Sequence, residues 1–213
     1  YKRQAFGGVV ALSGTLDRAT AEAIAPYFVE VVIAPEVSSE AADVLSVKTG
    51  LRVLEAPAPA PTGLDLRRLE GGFAAQLRDA VLTDPTEWEL VAGPEVDASL
   101  LEDLRVAWAV GAHTKSNAIV VATGGAAVGV GAGDQSRVGA AQRAIAKAGD
   151  RCRGAVAASD AFFPFRDGLD TLADAGIVAV AEPGGSQRDS EVIAAAEERG
   201  ISLLFTGRRH FRH

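Results

Sequence analysis

Ser116-Asn117-Ala118-Ile119-Val120-Val121-Ala122, then Thr123-Gly124-Gly125, then Ala127-Val128-Gly129-Val130-Gly131: this stretch decides the fold. Two apolar runs split by a Gly-Gly turn predict a β-hairpin. Gly131-Ala132-Gly133-Asp134-Gln135-Ser136-Arg137 leads out of it into a helix expected over about 136–147. Downstream the order repeats: strand 155–158, helix 166–173, strand 177–181, helix 187–198 and strand 201–205. Repeated strand-helix units predict an α/β protein with three layers around a mostly parallel sheet.

Upstream the same alternation is visible. Gly8–Leu12 reads as a strand, Asp17–Tyr27 as a helix rich in alanine, Phe28–Ala34 as a strand, Ser38–Val47 as a helix opened by a serine, and Leu51–Leu54 as a strand. Ala56–Pro61 alternates Ala and Pro, which cannot join a sheet interior, and reads as a linker or edge loop. Leu66–Leu69, the Gly71-Gly72 turn and a following strand suggest a second hairpin. Ser99–Ala112 is an amphipathic helix that marks the expected boundary between two halves, 1–98 and 99–213, whose similar order suggests an internal duplication.

Composition narrows the function classes. At 213 residues, 48% hydrophobic and 23% charged, the chain has the size and content of one large or two small globular domains. A net charge of −7 and pI near 5.0 argue against a nonspecific nucleic-acid or membrane surface. The single cysteine, Cys152, rules out an intrachain disulfide and a thiolate metal cluster, and suits a reducing cytoplasm. No apolar run has the length of a membrane span, and Tyr1–Gly8 lacks the apolar core of a signal peptide. With no methionine anywhere and a strand almost at Tyr1, further sequence is expected upstream.

Two glycine-rich loops carry candidate chemistry. Residues 131–137 and Pro183-Gly184-Gly185-Ser186-Gln187-Arg188-Asp189 each join a strand to a helix, where glycine admits close backbone approach and a helix start offers unpaired N–H groups to an anion. Neither has the spacing of a P-loop or a dinucleotide fingerprint. At one end of one sheet, two such loops form a ligand crevice. Asn117, beside Lys115, either caps a turn or points its amide into that crevice. Ser159-Asp160-Ala161-Phe162-Phe163-Pro164-Phe165-Arg166-Asp167-Gly168 gathers three of the eight phenylalanines beside two carboxylates and an arginine, and either closes a core or grips a flat ligand. The terminal Gly207-Arg208-Arg209-His210-Phe211-Arg212-His213 holds two of the three histidines, and Phe211 among the charges points to a tail that docks. A zinc deaminase needs a Cys-x-x-Cys pair, which one cysteine cannot supply, and there is no Gly-x-Ser-x-Gly elbow.

Taken together, 159–168, Lys115–Val120, Gly129–Arg137, Pro183–Ser186 and Arg209–His213, with Ala5–Gly8, Phe28–Pro35 and Leu64–Gly72 in the same order, resemble the AICAR transformylase part of the bifunctional purine biosynthesis enzymes in their bacterial form. The resemblance implies two cytidine-deaminase-like three-layer subdomains, the first truncated, without the deaminase zinc. It implies formyl transfer from 10-formyltetrahydrofolate to the 5-amino group of AICAR, by a cytoplasmic homodimer with sites built across the subunit interface. By motif, Gly7, Glu30, Asn117, Arg137, Phe162 and Arg209 match AICAR-contacting positions, with Asn117 supporting catalysis. Val138, Asp167, Ser186 and Gln187 match the folate site, Asp167 facing the pterin donors, while Phe163 and Phe165 are left to packing. A structural potassium ion is implied near Thr114 and Asp160. Glu30 departs from an aspartate in some relatives, and this sequence has no Lys-His dipeptide, the family's catalytic pair, nor the IMP cyclohydrolase domain. The expectation is thus either part of a longer enzyme or a non-catalytic purine- and folate-binding or dimerisation module.

Overall fold

The computed structural model describes residues 7–58, 63–80 and 84–212. The start of the Ala5–Gly8 motif, the last residues of the Ala-Pro linker (59–61) and His213 lie outside the described residues. The chain divides into two compact units, Tyr1–Arg78 and Asp79–His213.

In the first unit, β1 (Val9–Ala11), α1 (Arg18–Ile24), β2 (Val31–Ala34), α2 (Ser39–Ser46) and β3 (Arg52–Glu55) alternate as expected. Each helix begins where a side chain can take an orphan N–H: Asp17 accepts from Thr20 N at 2.8 Å and Ser38 from Ala41 N at 3.1 Å. The sheet is parallel in the order β1-β2-β3. The two connections step the same way across the sheet, and α1 and α2 pack together. Val32 and Ala34 turn to the helices and are buried with Leu16, Ala21, Ala41 and Leu45, while Val31 and Ile33 on the other face are half-buried. Among the described residues this unit therefore has two layers, not three. The expected hairpin follows as β4 (Leu64–Leu69) and β5 (Gly72–Leu77), antiparallel with Leu69 opposite Gly72.

The second unit comprises β6 (Glu89–Ala92), α3 (Ala98–Ala112), β7 (Ile119–Thr123), β8 (Ala126–Gly131), α4 (Arg137–Ala148), β9 (Val156–Ser159), α5 (Asp167–Asp174), β10 (Ala179–Glu182), α6 (Asp189–Arg199) and β11 (Ser202–Phe205). Its six strands run β6-β11-β10-β9-β7-β8. The reading of a mostly parallel sheet is corrected here: only β9, β10 and β11 form parallel ladders, and β6-β11, β9-β7 and β7-β8 are antiparallel. The physical reason is the predicted hairpin. Gly124 and Gly125, at φ +61° and +74°, make the tight turn, and buried Asp103 on α3 accepts both of their N–H groups at 3.0 and 2.6 Å. This inserts β7, running backwards, between β8 and β9. The sequence places the change of unit at Ser99; the compact units divide at Arg78/Asp79, because β6 is bonded to β11.

Successive residues of the central strands face opposite layers, which is why these strands are apolar throughout. Val120, Ala122, Val156, Ala158, Ala179 and Ala181 meet Leu104, Ala107 and Trp108 of α3. Ile119, Val121, Ala157, Val180 and Leu203 meet Ala140 and Ala144 of α4, Leu169 and Leu172 of α5, and Val192 and Ala195 of α6. The three-layer expectation thus holds for this unit. Gly131 serves packing rather than anion approach: a Cβ there would lie 1.9 Å from the Ala140 carbonyl oxygen, so only glycine lets α4 rest directly on β8.

Candidate functional site

Strands β8, β9, β10 and β11 all point their carboxyl ends at one edge of the second unit's sheet. Gly131 and Ser159 both face Ile119 at the start of β7, and Glu182 at the end of β10 faces Phe205 at the end of β11. The loops after these strands leave that edge together, as the paired-loop reading expects. Ligands bind at such an edge in open α/β sheets because the chain diverges there and frees backbone donors.

The loops are held by a buried ion pair. Arg137, first residue of α4, has a side chain 6% exposed; its Nη1 donates to Asp160 Oδ1 and its Nη2 to Asn117 Oδ1 at 2.9 Å. Asp160, just past β9, also accepts from Ala118 N at 3.0 Å and from the Ser116 hydroxyl at 2.5 Å. Asn117 follows a cis peptide, and its Nδ2 donates to the Asp134 carbonyl at 2.9 Å. Its amide is therefore held on both sides, which fits the turn-capping reading, and Asn117 also lines the neighbouring cavity. Asp134 in turn accepts from Ser136 N at 3.0 Å and Arg143 Nε at 2.6 Å; that backbone N–H first, with Arg143 assisting, holds its carboxyl below the usual carboxylate range.

The C-terminal segment docks on the same hub. His210 N donates to the Asp160 carbonyl at 2.8 Å, Ser116 N to the Arg212 carbonyl at 2.9 Å, and Arg212 N to the Ser116 oxygen at 3.1 Å. The His210 ring is buried 4.9 Å from Trp108, with Nδ1 2.6 Å from Asp79 Oδ2.

Around this hub lies a cavity of about 440 Å³ lined by Asn117, Arg137, Val138, Phe162, Phe165 and Asp167, with Phe211 at its margin. The structure thus brings together five of the ten residues matched to the AICAR and folate sites: Asn117, Arg137, Val138, Phe162 and Asp167. Phe163 is core, as expected: it is fully buried against Gly168, where a Cβ would stand 2.5 Å from its ring. Phe165 corrects the packing expectation, being 48% exposed on the cavity wall with the Arg188 guanidinium 4.7 Å above its ring. Phe163 is thus buried between a half-buried Phe162 and an exposed Pro164-Phe165. Arg209 is exposed, and its guanidinium stacks 5.0 Å over Phe211. Ser186 and Gln187 stand outside the cavity lining; Ser186 N donates to Asp189 Oδ1 at 2.9 Å, which closes their loop. Gly7 and Glu30 meet within the first unit, where a Cβ on Gly7 would lie 2.8 Å from Glu30 Oε2.

One residue escaped the sequence reading altogether. Glu182 is wholly buried, its Oε2 accepts from Phe163 N at 2.8 Å, and its Oε1 has no partner among the described residues. Burial pushes its carboxyl up to about 8, against the pull of the Phe163 N–H, with Asp189 adding to the rise and Arg137 opposing it. The available signal was its place as the last residue of an otherwise apolar strand. Chemically, two aromatic faces, a carboxylate on the first turn of α5 and nearby arginines suit a flat ring with donor edges and an anionic group.

The family model described as AICARFT/IMPCHase bienzyme matches residues 2–147. The bifunctional purine biosynthesis protein PurH of Jannaschia sp. (strain CCS1) is 48% identical over 225 aligned residues, covering 100% of this chain and 42% of the relative. PurH of Mycobacterium leprae (strain Br4923) is 48% identical over 98% of this chain and 40% of its own length. The chain spans about two fifths of the length of these curated relatives. On the matched residues and whole-chain identity, the chain belongs to the AICARFT/IMPCHase bienzyme family.

Proposed function

We propose that this chain forms the folate-dependent formyl-transfer part of a purine biosynthesis enzyme, moving the formyl group of 10-formyltetrahydrofolate to the 5-amino group of AICAR. The observation that carries this reading is the convergence of Asn117, Arg137, Val138, Phe162 and Asp167 on one cavity. The amine nitrogen bonds to the formyl carbon, the bond from that carbon to folate N10 breaks, and the amine gives up one proton to a base while N10 takes one up, leaving formyl-AICAR and tetrahydrofolate. Val138 and Phe165 offer the apolar bed for the pterin, Asp167 accepts from its donors, and Phe162 lies against AICAR. Asn117 has one amide N–H left over for a substrate oxygen, since the other donates to the Asp134 carbonyl. Arg209 takes the nucleotide phosphate, and Ser186 and Gln187 the outer part of the folate; Gly7 and Glu30 are read as AICAR-contacting positions by their motif alone. The two units are read as the two cytidine-deaminase-like subdomains of a cytoplasmic homodimer.

The implied potassium ion is not supported by the side chains named for it. Asp160 spends its carboxylate on Arg137, Ala118 and Ser116, and the Thr114 hydroxyl donates back to the Val110 carbonyl at 2.7 Å. No helix among the described residues is long and apolar enough to cross a membrane.

Calorimetric titration with AICAR and with folic acid tests the assignment. Arg209→Ala should weaken AICAR binding roughly 10- to 100-fold, the loss of a charge-assisted hydrogen bond or two, and leave folate binding nearly unchanged. Equal loss of both ligands would count against the phosphate role.

A further inference from the structure

Glu182 lies outside the groups assigned to substrate, yet among the described residues its side chain grips Phe163, in the middle of the aromatic segment after β9. Its Oε2 accepts the Phe163 N–H at 2.8 Å, and the flanking Ala161, Phe162, Pro164 and Phe165 all line the cavity. Phe163 itself is locked into the core against Gly168, so its ring and its N–H are both held, while the Ser159 hydroxyl donates to the Ala161 carbonyl at 2.5 Å upstream.

We propose that Glu182 is a positioning residue of the folate pocket: its buried carboxyl holds the Phe163 N–H, sets the wall made by Phe162, Pro164 and Phe165, and adjusts that wall when it gains or loses a proton. The proposal rests on the reading of this cavity as the folate site.

The charge environment explains why the proton matters. From α4, Arg137 favours the ionised form, but it is already committed to Asp160 and Asn117; from the start of α6, Asp189 opposes ionisation. From the segment after β11, the Thr206 N–H donates to the Glu182 backbone carbonyl at 2.8 Å. An ionised Glu182 would leave a bare anionic Oε1 in the core, a state that favours opening the segment to water over keeping the wall closed.

The test uses the full ¹⁵N-labelled chain. The Phe163 amide resonance, and those of Phe162 and Phe165, should move in one step centred near pH 8 in the unaltered chain and stay flat in Glu182→Gln. Folic acid affinity should fall about tenfold from pH 7 to pH 9 relative to Glu182→Gln, because only the proton-bound form keeps the wall closed. Titration of folic acid itself is common to both proteins and cancels in the ratio. Glu182→Leu, which removes the acceptor, should bind weakly across the whole range. A Phe163 amide that ignores pH, or parallel pH profiles in the two proteins, would overturn the proposal. Failure of folic acid to bind either protein at any pH would instead defeat the proposed function, and the Phe163 titration alone would then decide whether Glu182 governs the wall.

Discussion

Replacing Asp160 by Asn tests whether the buried ion pair organises the crevice. The Asp160 side chain is 0% exposed and that of Arg137 is 6% exposed, so neither charge is solvated by water. In Asp160→Asn the Arg137 guanidinium loses its counter-charge while its Nε already lacks a partner, and the new amide turns an N–H toward Arg137, Ser116 or the Ala118 N–H. Breaking one side of a buried pair costs about 3–5 kcal/mol, because the remaining charge stays buried and uncompensated. Arg137→Met should cost slightly less, since Ser116 and Ala118 still donate to the carboxylate. The double variant should recover about 1–3 kcal/mol relative to the sum, the coupling expected of groups in direct contact. Urea unfolding followed by tryptophan fluorescence is the assay, and both tryptophans, Trp88 and Trp108, lie in the second unit with ring centroids 5.8 Å apart. A loss below about 1 kcal/mol in Asp160→Asn, or strict additivity, would refute the argument that this pair holds the edge together.

Further outcomes follow from the same contacts. For Glu182, the carboxyl in the folded chain titrates near 8 against an ordinary 4.5, so its contribution to stability is full below pH 4.5 and lost as pH rises through 8. Glu182→Gln should flatten that decline and be more stable near pH 8 by up to about 4 kcal/mol in urea titrations; an unchanged pH profile would contradict a neutral buried acid. Gly131→Ala should lower stability by about 1–3 kcal/mol and also weaken ligand binding, because the added methyl pushes on the Ala140 carbonyl and displaces α4, which carries Arg137 and Val138. A fully stable Gly131→Ala variant would show that α4 does not need this approach.

What the sequence could and could not show follows from the range of each interaction. The β7-β8 hairpin is legible because its turn chemistry is local: Gly124-Gly125 sits between two apolar runs. The helix starts at Asp17, Ser38, Asp97 and Ser136 are caps within three residues of their targets. Strand β6 carries no such sign. Glu89–Ala92 is short, opens on a charge and finds its partner in β11 near the other end of the chain. Strand direction was misjudged for the same reason, since an apolar run reveals burial but not which neighbour it takes. Gly131 shows how one residue type serves two ends: the helix that forbids a Cβ is invisible until α4 is laid on β8. In the site, Asn117, Arg137, Phe162 and Asp167 were legible as chemistry-bearing residues, and their meeting in one cavity is a property of the fold. Glu182 was passed over because glutamate is rarely buried without a partner, and Phe165 was left to packing because a ring beside another ring says nothing about which one faces in.

The central claim is that the edge formed by β8 to β11 holds the folate. A crystal structure of the chain with folic acid, a stable pterin, tests it most directly. The account predicts the pterin ring against Val138 and Phe165 with its donors on Asp167. A ring bound elsewhere on the chain, with this cavity empty, would contradict it.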